Sequence, residues 1–137
     1  MTPNEIACVK AGWAKLIPIA EQAASLFYSR LFATHPELRL LFKGDMDEQG
    51  RRIMGMIHST VMALDDPAAM APRLRASGAR HASYGVKRED YDKMGDALLW
   101  TLEQLLGQDF TPESRAAWVS VYQDLARTMR EGAERPG

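Results

Sequence analysis

The stretch Gly78-Ala79-Arg80-His81-Ala82-Ser83-Tyr84-Gly85-Val86 decides how the rest of the chain is read. Residues 67–80 before it have helical composition. Met70, Leu74 and His81 recur at helical steps, so His81 shares the apolar face of that segment. An imidazole on the core side of a helix must be hydrogen-bonded, catalytic or bound to a metal. Small Gly78 and Ala82 flank it, which the sequence reads as room for something broad and flat. Tyr91, ten residues on, opens a second amphipathic segment able to pass beside it. Taken alone, such a histidine is more often a satisfied core residue than a ligand. The other polar residues on core stripes change that weighting.

Working outward, each flanking segment has helical period. Thr2-Pro3-Asn4-Glu5 is a helix start with Thr2 as N-cap, and Ile6, Val9, Trp13 and Leu16 form its stripe. Pro18 redirects the chain. A second helix is predicted over residues 19–33, and residues 36–42 make a short helical turn after Pro36. Residues 43–47 form a polar turn. A third helix follows over 46–64 with Gln49, Ile53, Met56, Ile57 and Thr60 facing inward. Asp66-Pro67 caps the His81 helix, and Gly85 ends it. Residues 88–106 repeat the period through Tyr91, Met94, Leu98, Leu102 and Leu105 until Gly107. The last helix starts at Thr111-Pro112-Glu113 and carries Trp118, Val121, Tyr122, Leu125 and Met129. The tail 134–137 is expected to fray. No alternating strand-length run or internal repeat occurs. The expectation is one all-α domain over 1–137 with six main helices and proline corners.

Composition excludes several partners. At 137 residues, 46% hydrophobic and net charge -1, the chain can bury a core but offers no basic face for nucleic acid. No apolar run is long enough for a membrane helix. No signal peptide is read at the N-terminus, and Cys8 is a lone cysteine, so a reducing, cytoplasmic location is expected. Cys8 reads as an inert small side chain.

Tyr28, Gln49, His81 and Tyr91 sit in or beside core stripes of four different segments, with Phe42, Ile53 and Met56 as apolar walls. Each unpartnered buried polar group costs a few kcal/mol, so four independent accidents are a poor explanation. The 32 residues from Gln49 to His81 allow a helix, a corner and a return helix, letting the two face each other across a slot.

The order of Phe27-Tyr28-Ser29-Arg30-Leu31-Phe32, His35-Pro36-Glu37-Leu38, Leu41-Phe42, Gln49-Gly50-Arg51-Arg52-Ile53-Met54, His81 to Val86, Tyr91, Gly95 to Leu99 and Phe110-Thr111-Pro112-Glu113 to Ala117-Trp118 resembles the globins. The likeness is to bacterial single-domain globins, the haem domain of flavohaemoglobins and Vitreoscilla-type haemoglobins, and spans about residues 5–129. It implies the globin fold around haem b, with His81 as proximal iron ligand and Phe42 packed on the haem face. It further implies Tyr28 and Gln49 as distal donors to the bound gas, Ile53 as the apolar residue beside it, and Tyr91 as the proximal tyrosine. Dioxygen, nitric oxide and carbon monoxide are the implied ligands.

Two departures from the flavohaemoglobin pattern stand out. The late glutamate of the proximal network falls on Ala133, with Glu131 and Glu134 nearby. No flavin or nicotinamide domain is read after the last helix. The expected function is therefore reversible dioxygen binding for storage or delivery. The alternatives are nitric-oxide dioxygenation with a separate reductase, a gas sensor (for which 137 residues leave no room for an output domain), or a haem-free helical domain. His58 and His35 are expected at the surface and at a corner. Arg51 and Arg52 read as a solvated face, with reach to a haem propionate as the alternative. Met54 is expected to point away and Met56 to sit deep.

Overall fold

A computed structural model describes residues 1–42 and 44–134; Lys43 of the polar turn and residues 135–137 of the expected frayed tail lie outside them. The described residues form six α-helices and no strand. They are α1 (Pro3–Leu16), α2 (Ala20–Thr34), α3 (Met46–Met62), α4 (Pro67–Ser83), α5 (Asp90–Leu106) and α6 (Pro112–Glu134). Short 3-10 turns occupy Ile17–Ile19, Pro36–Leu41 and Gly107–Asp109.

The local signals act as their chemistry dictates. Thr2 Oγ1 accepts from the Glu5 N–H at 3.1 Å, and Glu5 returns a carboxylate to the Thr2 N–H at 2.8 Å, closing a capping box. Asp45 and Asp66 cap α3 and α4 by accepting from Asp47 and Ala69. Gly85 and Gly107 take positive φ, 99° and 53°, where a side chain would be strained. Some boundaries moved: α3 ends at Met62 and α5 starts at Asp90, each two residues inside the expected span, and Glu134 is not part of a frayed tail but the last residue of α6, ion-paired with Arg88.

Two apolar clusters result. The larger joins α1, α4, α5 and α6 through Val9, Trp13, Leu16, Leu74, Leu102, Trp118 and Val121. The smaller joins α2 and α5 through Phe27, Tyr28, Leu31 and Ala97, with Leu38 from the proline corner. Fully buried Leu16, Leu31 and Leu102 each contribute about 1.5–3 kcal/mol of burial free energy. Helices α3 and α4, though consecutive, lean on different neighbours: α3 on α2 and α1, α4 on α6. No described helix is long and apolar enough to cross a membrane.

The α4–α6 crossing is unusually close. A Cβ added to Gly78 would collide with the backbone carbonyl of Met129, and one added to Gly132 with the carbonyl of Arg75. The two helix backbones therefore touch at both glycines, as small residues permit. This corrects the reading of Gly78 as room left beside His81. That room is filled by α6, while Ala82 is solvent-exposed.

Candidate functional site

Tyr28 is the most informative side chain. It lies nearly two turns from the end of α2, 6% exposed, and Phe42, Phe27 and Phe32 enclose its ring. Phe42 meets it edge-on at 5.2 Å and Phe32 stacks at 5.7 Å. Its Oη is buried without a hydrogen-bond partner. Burial pushes its pKa up to about 12, so the group is a neutral O–H donor. A donor kept neutral, buried and unpartnered costs on the order of 1–3 kcal/mol, which a ligand acceptor would relieve.

Ile53 and Phe42, both half-buried, pack on the same aromatic cluster, together with Leu41, Met46, Met94 and Leu98. Of the expected apolar wall, Phe42 and Ile53 therefore form their part around Tyr28, and Met56 does not. Gln49 is half-buried one turn before Ile53 on α3. The two α3 methionines exchange roles relative to expectation. Met54 packs against the larger core, whereas Met56 is 43% exposed. The reason is that α1 and α2 cover the Met54 side of α3, a choice of neighbour that periodicity does not encode.

His81 is half-buried in the last turn of α4. Burial, and secondarily the Arg80 charge, holds its imidazole below the ordinary histidine value, so the neutral ring is favoured. A neutral ring nitrogen is the form that ligates iron. Its backbone is fixed as well: the His81 carbonyl accepts from Tyr84 and Val86 at 3.1 and 3.0 Å. Buried Asp90 then ties the following turn by accepting from the Lys87 N–H at 2.8 Å.

Tyr91 is buried at the start of α5, and its Oη also lacks a partner. Tyr122 donates to the Tyr91 carbonyl at 2.6 Å, and the Arg130 guanidinium lies over the Tyr91 ring at 5.2 Å. Neither α6 residue figured in the expected site. Tyr122 read only as one more aromatic of a core stripe. Glu131 and Glu134, the carboxylates nearest the missing glutamate, face Arg75 and Arg88 at the surface instead.

A groove of about 590 Å³ runs between α2 and α3 behind Tyr28, lined by Ala24, Phe32, Met46, Gly50 and Met54 among others. It touches neither Phe42, Gln49, Ile53 nor His81, so it is not the expected slot. The remaining histidines lie where expected, His58 at the surface and half-buried His35 at the proline corner. His58 is exposed and accepts from Trp13 Nε1 at 3.0 Å, and His35 sits 3.6 Å from Glu37. Arg52 pairs with Glu48 at 2.7 Å on the outer face of α3.

This donor set fits the haem that the resemblance implies. It offers a neutral imidazole on α4, two buried hydroxyls without protein acceptors and an apolar wall around one of them.

Comparison with known proteins agrees. The globin family model matches residues 25–129. The flavohemoprotein of Rhizobium meliloti is 31% identical over 103 residues, covering 73% of this chain and 26% of that protein. The flavohemoprotein of Bordetella parapertussis is 30% identical over 129 residues, covering 92% of this chain and 32% of that protein. The chain thus spans about a third or less of the length of these relatives. Among solved structures, a hexacoordinated heme protein from an anhydrobiotic tardigrade superposes with a TM-score of 0.88 at 17% identity, covering 98% of this chain and 96% of that one. An engineered carbene transferase of Rhodothermus marinus gives 0.88 at 22%, covering 98% and 94%.

Proposed function

The chain belongs to the globin family, and from that premise we propose that residues 1–137 form one globin unit binding haem b through His81 and dioxygen reversibly beside Tyr28 and Gln49. The observation that carries this reading is the buried, unpartnered Tyr28 hydroxyl inside an apolar aromatic cage. When bound, haem iron supplies an open position able to take a diatomic ligand and share charge with it.

The chain's own residues do the rest. His81 presents a neutral imidazole from a backbone fixed by the bonds on its carbonyl. Tyr28 offers an O–H to a ligand atom that gains negative charge, and Gln49 an N–H. Phe42 and Ile53 keep water from competing for those donors. Tyr91, held by Tyr122, stands on the proximal side. The proposed setting is the cytoplasm, supported by the single cysteine.

A second reading, nitric-oxide dioxygenation with a separate reductase, is favoured by the flavohemoprotein likeness across 92% of the chain. Optical spectra of the ferric, ferrous and gas-exposed protein test the first reading. A Soret band with reversible dioxygen and carbon monoxide changes is expected, and its absence after haem addition would refute haem binding. Nitric-oxide consumption with a generic reductase, compared with the dioxygen dissociation rate, separates binding from turnover.

A further inference from the structure

We propose that Arg130 tunes the proximal side of the site: it positions Tyr91 and biases the iron toward its ferrous state. This rests on the haem reading above. The placement comes from the α4–α6 crossing. Met129 lies with its backbone against Gly78, one helical turn before His81, so the next residue leaves α6 close to the proximal helix. Arg130 crosses to α5, where its guanidinium lies over the Tyr91 ring at 5.2 Å. Its Nη2 donates to the Arg88 carbonyl and to Asp92, each at 3.2 Å.

An ordinary surface ion pair does not account for this arrangement. Arg130 is 22% exposed and Asp92 83%, so water screens the carboxylate more than the cation. Moreover, Arg130 Nε is buried with no partner, a position that a surface pair gives no reason to adopt. The face of the Tyr91 ring supplies the reason, since a guanidinium is attracted to an aromatic face and is weakly hydrated. Of the neighbouring acids only Asp92 pairs with Arg130, and it is 83% exposed, whereas Asp90 pairs with Lys93, Glu131 with Arg75 and Glu134 with Arg88. The proximal tyrosine thus stands under a cation.

Reduction of the iron adds one electron from the electrode and lowers the local charge by one. A fixed, poorly screened positive charge favours that state. The test is spectroelectrochemical titration of the haem-loaded protein. Arg130→Met is expected to shift the reduction equilibrium about tenfold toward ferric, about 59 mV for one electron. Arg130→Lys, which keeps the charge, is expected to stay within about twofold of the parent. A merely structural role would lower the melting temperature of both variants and leave the potential in place. A midpoint for Arg130→Met within about twofold of the parent overturns the inference.

A second measurement needs no haem. In the haem-free chain the Arg130 Nε–H resonance is expected to exchange slowly and to lie upfield under the Tyr91 ring current. In Tyr91→Leu both properties should vanish. An Nε–H that exchanges like a free arginine's overturns the positioning role, even if Arg130→Met does not fold. A chain that takes up no haem overturns the reading beneath, whereas haem uptake with an unmoved potential overturns this inference alone.

Discussion

At Gly78 and Gly132 the α4 and α6 backbones meet with no side chain between them, whereas around Tyr28 four aromatic rings meet at centroid distances of 5.2 to 5.7 Å with a groove of about 590 Å³ behind. The first region holds the helix that carries His81 against atoms that cannot rotate away. The second surrounds a hydroxyl with rings that pivot about their own side-chain bonds, next to open space. A backbone contact gives position without adjustability, and an aromatic cage gives the reverse. The proposed iron-ligand side is thus the stiff half of the site and the gas side the compliant half.

The largest effect should come from attacking the stiff half. Gly78→Ala is expected to destabilise the fold by ~3 kcal/mol or more, at the upper end of overpacking costs, because the obstructing atoms are backbone. Denaturant unfolding followed by circular dichroism measures it. A loss under ~1 kcal/mol would show that the helices part easily and would erase the contrast. At the site itself, His81→Ala is expected to abolish tight haem retention, with partial rescue by added imidazole. A ligand-binding spectrum like the parent's without imidazole would move the proximal ligand elsewhere.

On the compliant side, Tyr28→Phe should act with opposite signs on two measurements. Dioxygen release should quicken by roughly ten- to a hundredfold, as for the loss of about 1–3 kcal/mol from a hydrogen bond to a charged acceptor. The haem-free chain should become more stable, since an unpartnered buried hydroxyl is removed. Carbon monoxide release, with much less charge to stabilise, should change far less. Equal changes for both gases would mean steric rather than hydrogen-bonding control. Gln49→Leu should resemble Tyr28→Phe but more weakly.

Acidification probes the stiff half again. His81 titrates below its ordinary value when folded, so between about 6.5 and that lowered value the unfolded chain binds more protons. Its contribution to the haem-free chain is therefore complete above pH ~6.5 and declines as pH falls. Stability against pH in His81→Ala should lack that component; an unchanged profile would mean the imidazole is not desolvated. The smallest effect is expected from Arg75→Ala. Its pairing with Glu131 across α4 and α6 is 3.8 Å long and half exposed on both partners. A change within ~0.5 kcal/mol would show that the crossing is held by backbone packing and not by ions.

Much of this was readable in the chain because its causes are local. Thr2 with Glu5, Asp66 with Pro67, and the glycines at 85 and 107 set helix ends through atoms a few residues away. The stripe from Tyr28 to Tyr91 placed odd polar residues on apolar faces, and both hydroxyls are buried. What escaped depends on which helix meets which. Periodicity puts Met54 and Met56 on different faces of α3 without saying that α1 and α2 cover the first. It marks Gly78 as small without naming Met129 as the reason. Arg130 and Tyr122 are ordinary members of α6 until the crossing aims them at Tyr91.

The paired glycines also constrain how such a sequence can vary. Most crowded core positions can be relieved by a second change, because a smaller partner makes room for a larger one. Here each glycine faces a carbonyl, present whatever amino acid occupies position 129 or 75. No substitution opposite can restore the space, so the two sites are fixed separately and not as a co-varying pair. A library randomised across this crossing should return glycine at both positions, while the side chains at 75 and 129 drift.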